Sequence, residues 1–186
     1  MKIAVDIDST LHAYWDVLSA AARRRFGVEL PYEEQLTWGI TRLRAGQLAA
    51  CVADTHTEVQ VLAAEPYPGA VEALRAWRDA GHAILVVSHR TPVAHAATER
   101  WLQQIGAPFD ELHCSDDKIV RCREFGVELL IDDSPINLKR ALELDMRVAT
   151  ILHPWNREIC QEEDVVSAED WPELERKLSA VLRAPA

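Results

Sequence analysis

Four short apolar runs set what this 186-residue chain can fold into: Ile3 to Ile7, Ala83 to Val87, Glu128 to Ile131 and Arg147 to Leu152. Each is rich in Val, Ile and Leu without clean alternation of apolar and polar residues. A strand with one wet face alternates, whereas a strand covered by helices on both faces does not, so these runs read as buried parallel strands. Amphipathic segments lie between them. Val71, Leu74 and Trp77 share a face after Pro68-Gly69, with Gly81 as the stop. Thr91-Pro92 opens a segment that aligns Val93, Ala97, Trp101 and Ile105. Ser134-Pro135 repeats that start ahead of Leu138, Ala141 and Leu142, and Trp171, Leu174, Leu178 and Val181 recur at helical spacing near the end. Strands alternating with helices predict an α/β fold with a doubly wound parallel sheet.

One stretch breaks the alternation. From about His12 to Tyr67 there are helical patterns, such as Trp15, Leu18, Ala22 and Phe26 before Gly27, and no convincing strand. This predicts a helical cap subdomain over residues 12–67, inserted after the first strand of a core formed by residues 1–11 and 68–186. An insertion there overhangs the carboxyl ends of the strands, where open α/β sheets bind their ligands.

Composition narrows the partners. The apolar fraction of 48% suffices for a sizeable core, and the net charge of −10 argues against general attraction to a nucleic acid polymer or an anionic membrane. An acidic protein can still bind a phosphorylated small molecule if it gathers positive charge locally. Cys51, Cys114, Cys122 and Cys160 are widely spaced, which favours free thiols over a zinc site or disulfide framework. The start, MKIAVDID, is unlike a signal peptide, and no apolar run has the length of a membrane span. The expected location is therefore the cytoplasm.

Chemistry is concentrated at the ends of the predicted strands. Asp6 and Asp8 are two residues apart, a spacing that puts both side chains on one side of a strand end. Two carboxylates that close repel each other unless a cation sits between them. A second pair, Asp132-Asp133, ends the run VELLI just before Ser134-Pro135. Two parallel strands ending this way bring four acids to one rim, a set of hard oxygen ligands that suits Mg²⁺. Ser88 ends a third run and can donate its hydroxyl to a phosphoryl oxygen. Lys118 is placed in the first turn of a helix, with Ser115 as its expected N-cap, where a cation opposes the helix dipole and is better placed beside carboxylates. A serine at a strand end and a solvated surface lysine are the plain alternatives for these two.

Together DIDST, the serine of VVSHR, Lys118 and IDDSP resemble, in order, the four motifs of the haloacid dehalogenase-like (HAD) phosphohydrolases, over roughly residues 1–11 and 68–152. The one departure is Ser9, where glycine is commonest in that superfamily. The resemblance implies a Rossmann-like core and a Mg²⁺-dependent phosphatase. In it Asp6 attacks phosphorus to form an aspartyl-phosphate, and Asp8 protonates the leaving oxygen and later activates water. Ser88 and Lys118 hold the phosphoryl group. Asp6, the backbone carbonyl of Asp8, Asp132 and, directly or through water, Asp133 bind the metal. An acid/base two residues after the nucleophile belongs to phosphatases rather than to carbon–halogen cleavage.

The size and position of the insertion are most similar to the deoxyribonucleotide 5′-nucleotidase branch, which implies a (deoxy)nucleoside 5′-monophosphate among small phosphorylated metabolites. Trp15, Tyr32, Trp38 and His56 are then candidates for contact with the base, His12 for contact with substrate, and His89 and Arg90 for contact with phosphate or sugar. Plain packing inside the helical insertion is the competing explanation for each aromatic. A monomer or homodimer is expected. A two-component receiver domain shares the residue types but places its nucleophile after a middle strand and its lysine last, unlike this order. A non-catalytic phosphate-binding or regulatory protein on the same fold remains the alternative.

Overall fold

The computed structural model describes residues 1–182. Six strands form one sheet: β1 (Lys2–Val5), β2 (Ala83–Ser88), β3 (Glu111–Cys114), β4 (Leu129–Ile131), β5 (Arg147–Ile151) and β6 (Val165–Ala168). Their order is β3-β2-β1-β4-β5-β6, and every neighbouring pair is parallel. The doubly wound sheet expected from the sequence is therefore present, with two strands more than the apolar runs indicated.

Alternate residues of the central strands go to opposite faces, and both faces are dry. Ile3, Val5, Ile84, Val86, Leu129 and Ile131 pack with Leu74, Trp77, Trp101 and Trp171 in one apolar cluster. Ala4, Leu85, Val87, Leu130 and Val148 pack with Ile119, Cys122 and Leu138 in another. This is why those runs show no period of two. The helices on the first face are α4 (Ala70–Asp79), α5 (His95–Ile105) and α9 (Trp171–Leu182), and those on the second are α6 (Lys118–Glu124), α7 (Pro135–Leu142) and α8 (Arg157–Glu162). Gly69, which precedes α4, has φ +84° and lies so close to Pro172 that an added Cβ would come within 2.8 Å of its Cδ, so glycine is required there on both counts.

Between β1 and β2 lie α1 (Tyr14–Phe26), a short 3-10 turn (Tyr32–Glu34), α2 (Ala45–Thr55) and α3 (Glu58–Leu62). This stretch has no strand, only isolated bridges of His12 with Asp8 and Pro66. It carries an apolar cluster of its own, built on Trp15, Leu18, Ala22, Leu30, Leu43 and Cys51, which also takes in Trp155 from beyond β5.

Several local expectations need correction. Thr91-Pro92 opens a 3-10 turn over Pro92–Ala94, and α5 begins only at His95, leaving Val93 92% exposed. Asp117 rather than Ser115 is the N-cap of α6, while the Ser115 hydroxyl accepts from the Asp117 N–H. Ser134 does cap α7, accepting from the Asn137 N–H. All four cysteines are free. No described helix is long and apolar enough to cross a membrane.

Candidate active site

β1 lies between β2 and β4, so the loops leaving these strands meet at one point on the carboxyl rim. That point is a cavity of about 400 Å³ lined by Asp6, Asp8, Ser88, His89, Lys118, Asp132 and Asp133. Every site residue read from the four motifs is thus brought to one place.

Lys118 is the hub. Its ammonium is buried and donates to Asp6 Oδ1 at 2.6 Å and to Asp132 Oδ2 at 2.7 Å. Burial by itself would lower the Lys118 pKa, but Asp132 and then Asp6 outweigh it and drive the group firmly to the charged form. Asp132 is further held by the Asn137 amide, 3.2 Å from each of its oxygens, and by the Ser134 N–H at 2.8 Å. Asp6 is less well served. Burial, with the negative charges of Asp132 and Asp8, pushes its carboxyl up to about 7 despite Lys118. Asp133 is likewise raised well above the carboxylate range by burial, Asp6 and Asp132.

One carboxylate oxygen from each of Asp6, Asp132 and Asp133 lies within 4.8 Å of the other two. Three buried acids around one lysine leave an excess of negative charge, and hard oxygens at that spacing fit a divalent cation. The Asp8 side chain is not in this group. It turns to Arg90, whose Nη2 donates to Oδ1 at 2.7 Å and whose Nε donates to Oδ2 at 3.2 Å. His12 Nε2 adds a 3.0 Å contact and His56 Nε2 a 3.3 Å one. Burial alone would raise Asp8, yet Arg90 and the two histidines hold it well below the usual carboxylate range.

Two sequence expectations fail here for the same reason. Arg90 and His12 are buried behind Asp8 and are absent from the cavity lining, so they hold the acid rather than touch a substrate. Arg90 is fixed in turn by Thr98 Oγ1 at 3.2 Å. His89 faces the cavity, and the Ser88 hydroxyl accepts from the Arg90 N–H.

The far wall of the cavity is apolar and aromatic. Trp15, Trp38 and His56 line it as expected from the sequence, joined by Tyr14, Leu18, Leu48 and Val52. Tyr32 does not line it; its hydroxyl is bonded to His153 Nδ1 at 2.7 Å. Sequence reading missed Asn137 and Trp155. The Trp155 indole lines the cavity and donates to Asp133 Oδ2 at 3.2 Å. Their signal was present, as a polar residue two places after Ser134-Pro135 and a tryptophan just past the fourth apolar run. Ser9 adopts φ +61°, a left-handed conformation that L side chains seldom take, which gives the superfamily's glycine preference a physical reason here.

A family model for "5′ nucleotidase, deoxy (Pyrimidine), cytosolic type C protein" matches residues 1–184. Solved structures agree in fold. A HAD family hydrolase from Deinococcus radiodurans R1, with bound phosphate and sodium, is 18% identical with a TM-score of 0.68, over 100% of this chain and 98% of that one. CbbY from Rhodobacter sphaeroides in complex with phosphate is 19% identical with a TM-score of 0.63, over 93% and 95% of the two chains. A HAD-superfamily hydrolase from Ehrlichia chaffeensis is 12% identical with a TM-score of 0.58, over 98% and 97%. Among curated proteins none matches the chain.

Proposed function

This chain belongs to the 5′ nucleotidase, deoxy (pyrimidine), cytosolic type C family, a branch of the HAD-like hydrolases, and from that membership we propose that it removes phosphate from a (deoxy)nucleoside 5′-monophosphate through an aspartyl-phosphate on Asp6. The observation that carries this reading is the gathering of Asp6, Asp8, Ser88, Lys118, Asp132 and Asp133 around one cavity with an aromatic far wall.

Asp6 is the nucleophile. Its carboxylate oxygen attacks phosphorus, the ester P–O bond breaks, and the leaving oxygen takes a proton from Asp8. Water then attacks phosphorus and returns a proton to Asp8, and the Asp6–phosphorus bond breaks. Splitting hydrolysis this way replaces one difficult step by two easier ones. Lys118 and the Ser88 hydroxyl are placed to hold the phosphoryl oxygens. The clamp of Arg90 suits Asp8 for the base step, and the acid step requires its carboxyl to turn out of that clamp with a proton. Asp6, Asp132 and Asp133 would hold Mg²⁺, with the Asp8 backbone carbonyl. When bound, that ion neutralises the excess carboxylate charge and polarises a phosphoryl oxygen. We assign residues 12–67 as the cap that supplies the far wall, where Trp15 and Trp38 are the aromatics available to a base and the cavity volume suits one small ligand.

The direct test is phosphate release from a panel of ribo- and deoxyribonucleoside 5′-monophosphates, with p-nitrophenyl phosphate alongside. Turnover with Mg²⁺ that EDTA abolishes, fastest on a nucleotide, is expected. Silence across the panel would favour a non-catalytic phosphate-binding protein.

The metal also has a readout independent of turnover. At a hundredfold excess over its dissociation constant an ion that binds only the folded state adds about 2.7 kcal/mol, worth roughly 5–10 °C in a chain of this size. Because Asp6 titrates near 7, protons compete with the ion below that pH. The Mg²⁺-induced shift is therefore expected to be larger at pH 8 than at pH 6. The shift is the quantity to compare, not the melting temperature itself. Asp6, with its raised pKa, makes the protein without Mg²⁺ less stable as pH rises toward 7. His153, lowered to about 4 by burial, makes it more stable over part of the same interval. An equal shift at both pH values would remove Asp6 from the metal site.

A further inference from the structure

We propose that His153 is a positioning residue: by tying the Ser9 carbonyl to the Tyr32 hydroxyl it holds the loop after Asp6 in the left-handed turn the site needs. Neither the four motifs nor the far wall of the cavity includes it.

The geometry fixes its chemical state. His153 Nε2 lies 2.7 Å from the Ser9 carbonyl oxygen, which can only accept, so Nε2 carries the proton and donates. Nδ1 is then an acceptor and receives the Tyr32 hydroxyl at 2.7 Å. The ring is buried, stacks on Trp155 with centroids 4.5 Å apart and planes 3° apart, and takes its backbone hold from Asn156 Oδ1, which accepts from the His153 N–H at 2.8 Å. Burial keeps the imidazole neutral, in keeping with those two bonds.

What it holds is the strained point of the loop. Ser9 has φ +61° and is buried, and a serine in that region is retained only where its surroundings impose it. The Ser9 N–H bonds to the His12 carbonyl at 3.0 Å, and the Ser9 carbonyl is the one fixed by His153. Released, the turn would relax and displace Asp6 and Asp8, its neighbours in sequence. The same short segment braces the second acidic loop: Trp155 donates to the Asp133 carboxylate and Asn156 Nδ2 to the Asp133 carbonyl at 3.2 Å. Tyr32 lies in the helical stretch, so the clamp also joins that stretch to the nucleophile loop.

The inference rests on the phosphatase reading, and a cycle of variants tests the two separately. His153→Phe keeps the ring and its stack on Trp155 but can neither donate nor accept. It is expected to lower kcat by roughly tenfold to a hundredfold, as ångström-scale misplacement does, with a smaller change in KM because His153 itself does not line the cavity. His153→Gln, which can both donate and accept, should recover most of the loss. Ser9→Gly, added to His153→Phe, should recover it as well, because glycine takes the left-handed turn without support. The same cycle read by thermal unfolding should show Ser9→Gly raising the melting temperature more in the His153→Phe background than in the wild type. Wild-type kcat in His153→Phe, a loss confined to KM, or no benefit from Ser9→Gly would overturn the positioning role. If the wild-type protein releases no phosphate, the phosphatase reading fails, and the unfolding cycle alone decides whether His153 holds Ser9.

Discussion

Asp6→Asn is expected to release no measurable phosphate, a loss of roughly 10⁴-fold or more, because an amide is a poor nucleophile and a poor metal ligand. The fold should survive. Burial and the neighbouring acids already disfavour the Asp6 charge, and Lys118 keeps its bond to Asp132 when Asp6 is neutral. In EDTA the variant should melt at or above the wild-type temperature, while the stabilisation by Mg²⁺ should be lost or much reduced. Phosphate release near the wild-type rate would take the nucleophile away from Asp6. A large fall in melting temperature in EDTA would show that the ion pair with Lys118 stabilises more than burial costs.

The second large effect is on stability. Lys118→Met fills the same space with an apolar side chain but leaves Asp6 and Asp132 buried without their shared cation. Breaking a buried pair by removing one partner costs about 3–5 kcal/mol, and urea unfolding in EDTA should show a deficit of that order. The deficit has a sign in pH. Without Lys118 the Asp6 carboxyl is pushed higher still, so protonation relieves the strain and the deficit should shrink at lower pH. Mg²⁺ should restore part of the stability, because it can take over charge neutralisation, yet turnover should stay down by about 10³-fold without the lysine's hold on the phosphoryl group. A variant as stable as the wild type at pH 8 in EDTA would mean that the acids are not in the crowded state described above.

Most of the sheet was legible because its four central strands are wrapped on both faces, which leaves continuous apolar runs in the sequence. The missed strands, β3 and β6, are the two at the sheet edges. They are short and half-covered, and ELHC and VVSA bear no run long enough to stand out. The acidic pairs were legible because they sit where strands end, and strand ends are placed by topology. The partners of Asp8 were not. That Arg90 turns back to clamp a carboxylate 82 positions earlier depends on how α5 packs against the sheet, which no local pattern records. Tyr32 was misassigned for a similar reason: an aromatic in a helical stretch looks the same whether it faces a cavity or bonds a buried imidazole. Ser9 shows the converse, since its departure from glycine was visible in the sequence but its meaning needed the backbone angle.

The apolar cluster under the far wall has a practical consequence. Trp15, Leu18, Leu30, Leu43 and Cys51 bury one another on the stretch between β1 and β2, and Trp155, from the turn after β5, joins them. That stretch also sets His12 and His56 against Asp8 and Tyr32 against His153, so exchanging it reaches the carboxylates as well as the wall. A graft of it from a cousin should keep the recipient's rate of hydrolysis only if it preserves those three side chains along with a snug seat for the Trp155 indole.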